Sequence, residues 1–314
     1  MPPTRANKHP VFVDRILPVL FVVLYSSGYV ASKTGIAFTD PFTFQSLRLA
    51  IPIPIFLTII YFFKADWPKK ATEYVHLSVI GILIHGFCFT GMLIAYEWGM
   101  DAGTVGLIMA LHPVLASVGA AVFLGENSSF KQALGLLLGT IGVVFIVGQK
   151  VHTGDNTYSG LFLTILCLFS MVAGVLYQKR FVAHMNLMTG SLIQHFSAFI
   201  PVCGLMLAFE PMTVNWTFPL LGSLLWMGIV LSLGSWLLFY ILIRKRDVSH
   251  SQSYFFLVPP TITLLAWAFF DEDFGSYFIL SIALIMAGIW AVTRQRLPRL
   301  TGREKTKNGM ARSS

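Results

Sequence analysis

Apolar runs of roughly 20 residues, each long enough to cross a ~30 Å hydrocarbon core, succeed one another along the whole chain. A soluble fold of 314 residues would interleave polar surface among them. Here 55% of residues are hydrophobic and 11% charged, whereas about a quarter are charged in an average soluble domain. The chain therefore reads as an all-α integral membrane protein with no room for a soluble domain.

Charged residues and Pro, Gly or Asn punctuate the runs. They mark ten expected transmembrane helices, at 14–36, 41–63, 75–97, 103–124 and 131–150, then 158–179, 188–209, 217–242, 249–270 and 276–293. Short loops rich in Lys and Arg stay cytoplasmic, while Asp and Glu weigh little. Over alternate loops, all of the 22 Lys and Arg except Lys33, Lys150 and Arg48 fall on the side of the termini. Both tails, 1–13 and 294–314, are thus expected in the cytoplasm. A miscount of one helix would scramble that segregation. Trp67, Trp98 and Trp216, at span ends, suit the membrane interface, with ordinary core packing as the alternative.

The net charge of +8 belongs to this topology, because the basic residues sit in short loops and the C-terminal tail and form no basic domain for nucleic acid. The first apolar run is too long for a cleavable signal peptide and lacks a small-residue cleavage site. Cys88, Cys167 and Cys203 lie inside apolar runs, odd in number and without short spacing, and read as small buried hydrophobes.

Sliding the chain on itself by 146 residues pairs Gly28 with Gly174, Lys33 with Lys179, Asp101 with Asp247, Pro113 with Pro259, Glu126 with Glu272, and Gly142 with Gly288. Two repeats of five helices are expected, 14–150 and 158–293. Five being odd, the second half enters the membrane from the opposite face. Inverted halves of this kind let secondary transporters alternate access to a midplane site.

Residues 103–147 and their counterparts 249–292 resemble the two repeats of the EamA-like family within the drug/metabolite transporter superfamily. The resemblance rests on Pro113 and Pro259 inside the fourth and ninth spans, Glu126 and Glu272 just after them, the Gly-rich fifth and tenth spans, and Arg48 in FQSLRLA. VPPT around Pro259, and Asp271 and Asp273 beside Glu272, depart from it. It covers essentially the whole chain and implies two inverted halves around a central cavity that moves amino acids or other small metabolites, often outward. With the short loops it implies a bacterial inner (plasma) membrane.

Arg48 would lie about two turns into the second span, where a charge must face a cavity or a partner. It is expected either to hold a substrate carboxylate or to form a structural ion pair or snorkel; its repeat counterpart is Gln194. His85 and His112 are candidates for bonding a polar solute or exchanging a proton, and His195 beside Gln194 is a further one, with satisfaction inside the bundle as the alternative. Tyr25, Ser26, Ser27, Tyr29, Tyr96, Trp236 and Tyr240 offer hydroxyls and ring faces to a site, with plain packing as the alternative. Pro113 and Pro259 are candidate hinges or static kinks. Glu126 and Glu272 are expected to cap the following helices, with proton coupling as the sharper alternative. Gly106, Gly135, Gly139 and Gly142 read as close-packing positions.

An intramembrane enzyme would need a nucleophile with its base or a metal set such as H-E-x-x-H, and an ATP-driven pump a Walker A motif; the sequence has neither the metal set nor Walker A. A receptor or structural membrane subunit needs neither inverted halves nor paired helix-breaking prolines. The reading is a secondary transporter, not an enzyme, with no cofactor or metal. Its partners are the lipid bilayer and a small-molecule substrate, an amino acid or related zwitterionic or carboxylate solute, probed best by flux in liposomes.

Overall fold

The structure, a computed structural model, describes residues 16–100, 105, 108, 109, 111–125, 129–148, 158–245, 254–270 and 277–293. These form helices joined by short turns and coil, with an isolated antiparallel bridge, Thr39 to Val214, as the sole β contact among the described residues. The helices are α1 (Leu17–Gly35), α2 (Pro41–Phe63), α3 (Ala71–Glu97) and α4 (His112–Leu124), α5 (Phe130–Gly148), α6 (Tyr158–Phe181), α7 (Leu187–Phe209), α8 (Phe218–Leu242), α9 (Val258–Phe270) and α10 (Phe278–Thr293). Six of them, α1, α2, α3, α6, α7 and α8, are long and apolar enough to cross a membrane.

The surface is inverted relative to a soluble protein. Phe63 (80% exposed) and Ile279 (83%) face outward, while Gln45, Arg48, His85, Gln194 and His195 are buried. Only a hydrocarbon surround makes that distribution favourable, since it has no hydrogen bonds to offer a polar side chain. Cys88 and Cys167 are buried free thiols inside the bundle.

One span boundary differs from the hydropathy reading for a local reason. α3 begins at Ala71 rather than 75, because Glu73 Oε2 accepts from the Lys69 and Lys70 amides at 2.7 and 3.1 Å and caps a polar first turn that hydropathy cannot see. Pro113 and Pro259 stand in the first turns of α4 and α9, each following helical backbone, at residues 108 and 109 and in the 3-10 turn Tyr254–Leu257. Each proline lacks an amide proton to donate to the preceding turn. Pro201 lies inside α7, and Pro52 and Pro54 lie inside α2 after a turn at Ile51.

α2 and α7 pack antiparallel, each N-terminus fastened to the far end of the other. Glu210, just past α7, takes hydrogen bonds from the Phe42 amide, the Thr43 amide and the Thr43 hydroxyl, each at 2.7 Å. At the opposite end the Thr189 hydroxyl donates to the Asp66 carbonyl at 2.9 Å. α5 and α10 meet through small residues: a Cβ on Gly288 would lie 2.5 Å from the Gly135 carbonyl oxygen and 2.7 Å from the Gly139 nitrogen. The packing role expected of Gly135, Gly139 and Gly142 is seen there; Gly106 lies outside the described residues.

Gly81 in α3 sits against α7 so closely that a Cβ would strike the Gln194 carbonyl oxygen and come within 2.7 Å of its Cα. Backbone cannot step aside as a side chain can, so Gly81→Ala is expected to destabilise the fold by ~2 kcal/mol or more. Thermal melting in detergent checks this, and unchanged melting would mean that α3 slides past α7 without loss.

Candidate functional site

The candidate site is a cavity between α1, α2, α3 and α8, and its polar centre is Arg48. The local sequence explains how a guanidinium comes to be held there. Asp40 is extended, Pro41 opens α2, and Glu210 occupies the first-turn amides, fixing where the helix starts. Gln45 and Arg48 follow at i and i+3, which places them on one face, and both are buried.

Gln45 acts as a bracket. Its Nε2 donates to the His85 carbonyl of α3 at 2.6 Å, and its Oε1 accepts from Arg48 Nη1 at 3.1 Å. Beneath the guanidinium, the Phe89 ring centroid lies 4.6 Å from Cζ, a cation–π contact. Arg48 Nε and Nη2 have no hydrogen-bond partner, and no ion pair to Arg48 occurs among the described residues. Buried unsatisfied donors on a charged group are costly, and these two protons share one edge of the guanidinium, spaced to meet both oxygens of a carboxylate.

The walls combine hydroxyls with apolar surface. Tyr25, Tyr29 and Ser32 come from one face of α1, Tyr96 from α3, and Met227 and Leu231 from α8. Two wall helices are locally π-helical, at Gly81–Cys88 in α3 and Trp226–Ser235 in α8. Such widened turns are rare and cluster at functional sites.

The structure thus brings Arg48, Tyr25 and Tyr96 together on one cavity. His85 contributes its carbonyl as the anchor of Gln45 rather than a ring in the wall, and its ring lies 4.5 Å from that of His195. His112 lies outside the cavity wall, edge-on to Phe255 at 5.2 Å. Tyr240 donates to Gln194 Oε1 at 2.6 Å, and Gln194 Nε2 donates to Gln178 Oε1 at 2.9 Å. Gln194, 146 residues on from Arg48, is held in that chain and does not line the cavity, whereas Arg48 does. The Trp236 side chain, Glu126 and Glu272 lie outside the described residues. Gln45 was not anticipated from sequence, although its i, i+3 relation to a membrane arginine was a usable signal.

The model of the EamA-like transporter family matches residues 16–148 and 158–294. The chain belongs to the EamA-like transporter family. It is 24% identical over 286 residues to an uncharacterized transporter of Archaeoglobus fulgidus, covering 90% of this chain and 99% of that protein. A probable amino-acid metabolite efflux pump of Escherichia coli is 22% identical over 288 residues, covering 88% and 93%. One of the same description from Salmonella typhimurium is 24% identical over 290 residues, covering 88% and 93%. A crystal structure aligns over 88% of this chain and 96% of its own with a TM-score of 0.72 at 17% identity, which shows a shared fold. The chain is a membrane transporter of this EamA-like kind.

Proposed function

We propose that this transporter exports a small carboxylate-bearing metabolite, an amino acid or a related solute, by alternating access around Arg48. The observation that carries the reading is the free Nε and Nη2 edge of a buried guanidinium that lines a cavity. Buried charges without partners are rare in membranes and mark substrate paths. The two relatives named as probable amino-acid metabolite efflux pumps support both the cargo class and the outward direction.

The proposed frame is ten helices in two inverted halves, 14–150 and 158–293. Contacts related by the same 146-residue offset support it. Thr43 and Thr189 each fasten a helix start to the segment that ends the other half's second helix. The π-helical turns at Gly81–Cys88 and Trp226–Ser235 correspond as well. In this frame both termini are cytoplasmic in a bacterial inner membrane, Pro113 and Pro259 begin the helices that tilt during exchange, and Glu126 and Glu272 cap the helices after them.

The test is counterflow in proteoliposomes. Liposomes preloaded with a pool of unlabelled amino acids and monocarboxylates are expected to accumulate a labelled carboxylate saturably, whereas an amine pool drives none. Accumulation driven equally by amines would remove the carboxylate reading. Gln45→Leu, which frees the guanidinium to swing, is expected to weaken apparent affinity about three- to tenfold, the worth of ~1 kcal/mol of orientation, with maximal flux largely kept. An unchanged half-saturation concentration would show that Phe89 alone positions Arg48.

A further inference from the structure

Resting on that reading of Arg48, we infer that the preferred cargo is a monocarboxylate with an apolar or aromatic body and no ammonium group, so that an amino acid binds more weakly than its deaminated counterpart.

The reasoning is a charge balance. Arg48 brings one positive charge to the cavity, and no Asp or Glu is found among the described residues that line it. The acids at the start of α2 and the end of α3, Asp40, Glu210 and Glu97, lie outside that lining, and Glu210 spends both oxygens on the Phe42 and Thr43 amides. A bound monocarboxylate therefore brings the site to neutrality. A zwitterion brings its own cation as well, one carbon from the carboxylate and hence within a few ångströms of the guanidinium that holds it. Like charges that close, in a cavity whose effective dielectric lies far below that of water, repel strongly, and the ammonium must also surrender its hydration.

Neutral groups make up the rest of the wall. Tyr29, Ser32 and Tyr96 supply hydroxyls, and Met92, Leu93 and Leu231 supply apolar surface. Phe89 in the wall already carries the Arg48 guanidinium at 4.6 Å. An apolar or aromatic body gains by leaving water for such walls, and the carboxylate satisfies the two donors that the protein leaves open.

Three probes built on one skeleton separate the possibilities: phenylalanine, hydrocinnamate (the same molecule without the ammonium) and phenethylamine (without the carboxylate). Leucine, isocaproate and isoamylamine repeat the comparison with an aliphatic body. Binding to the full-length protein in nanodiscs is measured by titration calorimetry and by competition. The deaminated acids are expected to bind at least about tenfold more tightly than the amino acids, as like-charge repulsion inside the cavity requires, and the amines are expected not to compete. Amino acids binding as tightly as the deaminated acids would overturn this inference while leaving carboxylate recognition standing. Amines binding as well as acids, or neither acid nor amino acid binding in both series, would overturn it together with the proposed function. Arg48→Lys keeps the charge and removes the fork, and its loss of discrimination between hydrocinnamate and phenethylamine is expected to be smaller than that of Arg48→Met. Equal losses in the two variants would count against the charge argument.

Discussion

Arg48→Met is expected to abolish saturable flux, by about 100-fold or more, and yet leave the folded protein at least as stable as wild type. The loss follows from removing two charge-assisted hydrogen bonds to the cargo, each worth ~1.5–3 kcal/mol. The stability follows from what Arg48 lacks. It is 1% exposed, makes one hydrogen bond, to Gln45, and leaves two nitrogens unsatisfied. Replacing buried ionic groups by apolar ones of similar volume is often neutral or stabilising by ~1–4 kcal/mol. Methionine fills most of the space that Arg48→Ala would leave as a void, and its thioether can rest on the Phe89 ring. Flux in liposomes at matched incorporation, read beside thermal melting of the same preparation, checks both halves. A variant that melts early would make Arg48 a structural residue, and a variant that still transports would take it out of the cargo path.

Glu210→Ala should be the most damaging surface-side substitution, at ~2 kcal/mol, because one side chain caps the first turn of a helix from another part of the chain. Three hydrogen bonds of 2.7 Å end on that carboxylate. Capping groups are typically worth ~1 kcal/mol, and hydrogen bonds to charged acceptors more. Asp40 holds the extended N-cap conformation but makes no capping bond of its own, and its Oδ2 is buried without a partner. With Glu210 gone, Asp40 can rotate onto the vacated amides and recover part of the loss. The double variant Glu210→Ala with Asp40→Ala is therefore expected to lose more stability than the two single losses added together. Strict additivity in a double-mutant cycle would show that Asp40 never takes over the cap.

Much of this was legible because hydropathy and charge segregation are strong signals in a membrane chain. The helices around the cavity, and the placement of Arg48 within one of them, follow from run length alone. What sits beside Arg48 does not. A glutamine three residues before an arginine has many uses, and nothing local says that Gln45 reaches the His85 carbonyl on another helix. Glu210 reads as an ordinary loop acid, since its role is set by a contact 168 residues away. The histidines are hard to place from sequence for a related reason. An imidazole in an apolar run looks exceptional, yet His195 Nδ1 simply donates to the Ser191 carbonyl one turn back at 2.9 Å, and His112 packs on Phe255. Tyr240 likewise looked available and is instead committed to the Gln194 and Gln178 chain.

The Glu210 clamp also sets a clock. A ribosome adding ~5–20 residues per second needs on the order of 10–30 s to travel the 168 residues from Phe42 to its capping acid. For that interval the opening turn of α2 is already made and its amides have no Glu210 to meet them. α7 faces no such wait, since Asn186, immediately before it, accepts from the Met188 and Thr189 amides at 2.9 and 3.4 Å. Asp40 takes the same N-cap position before α2 that Asn186 takes before α7, and its idle carboxylate is the sort of caretaker a nascent helix would use until the permanent cap arrives.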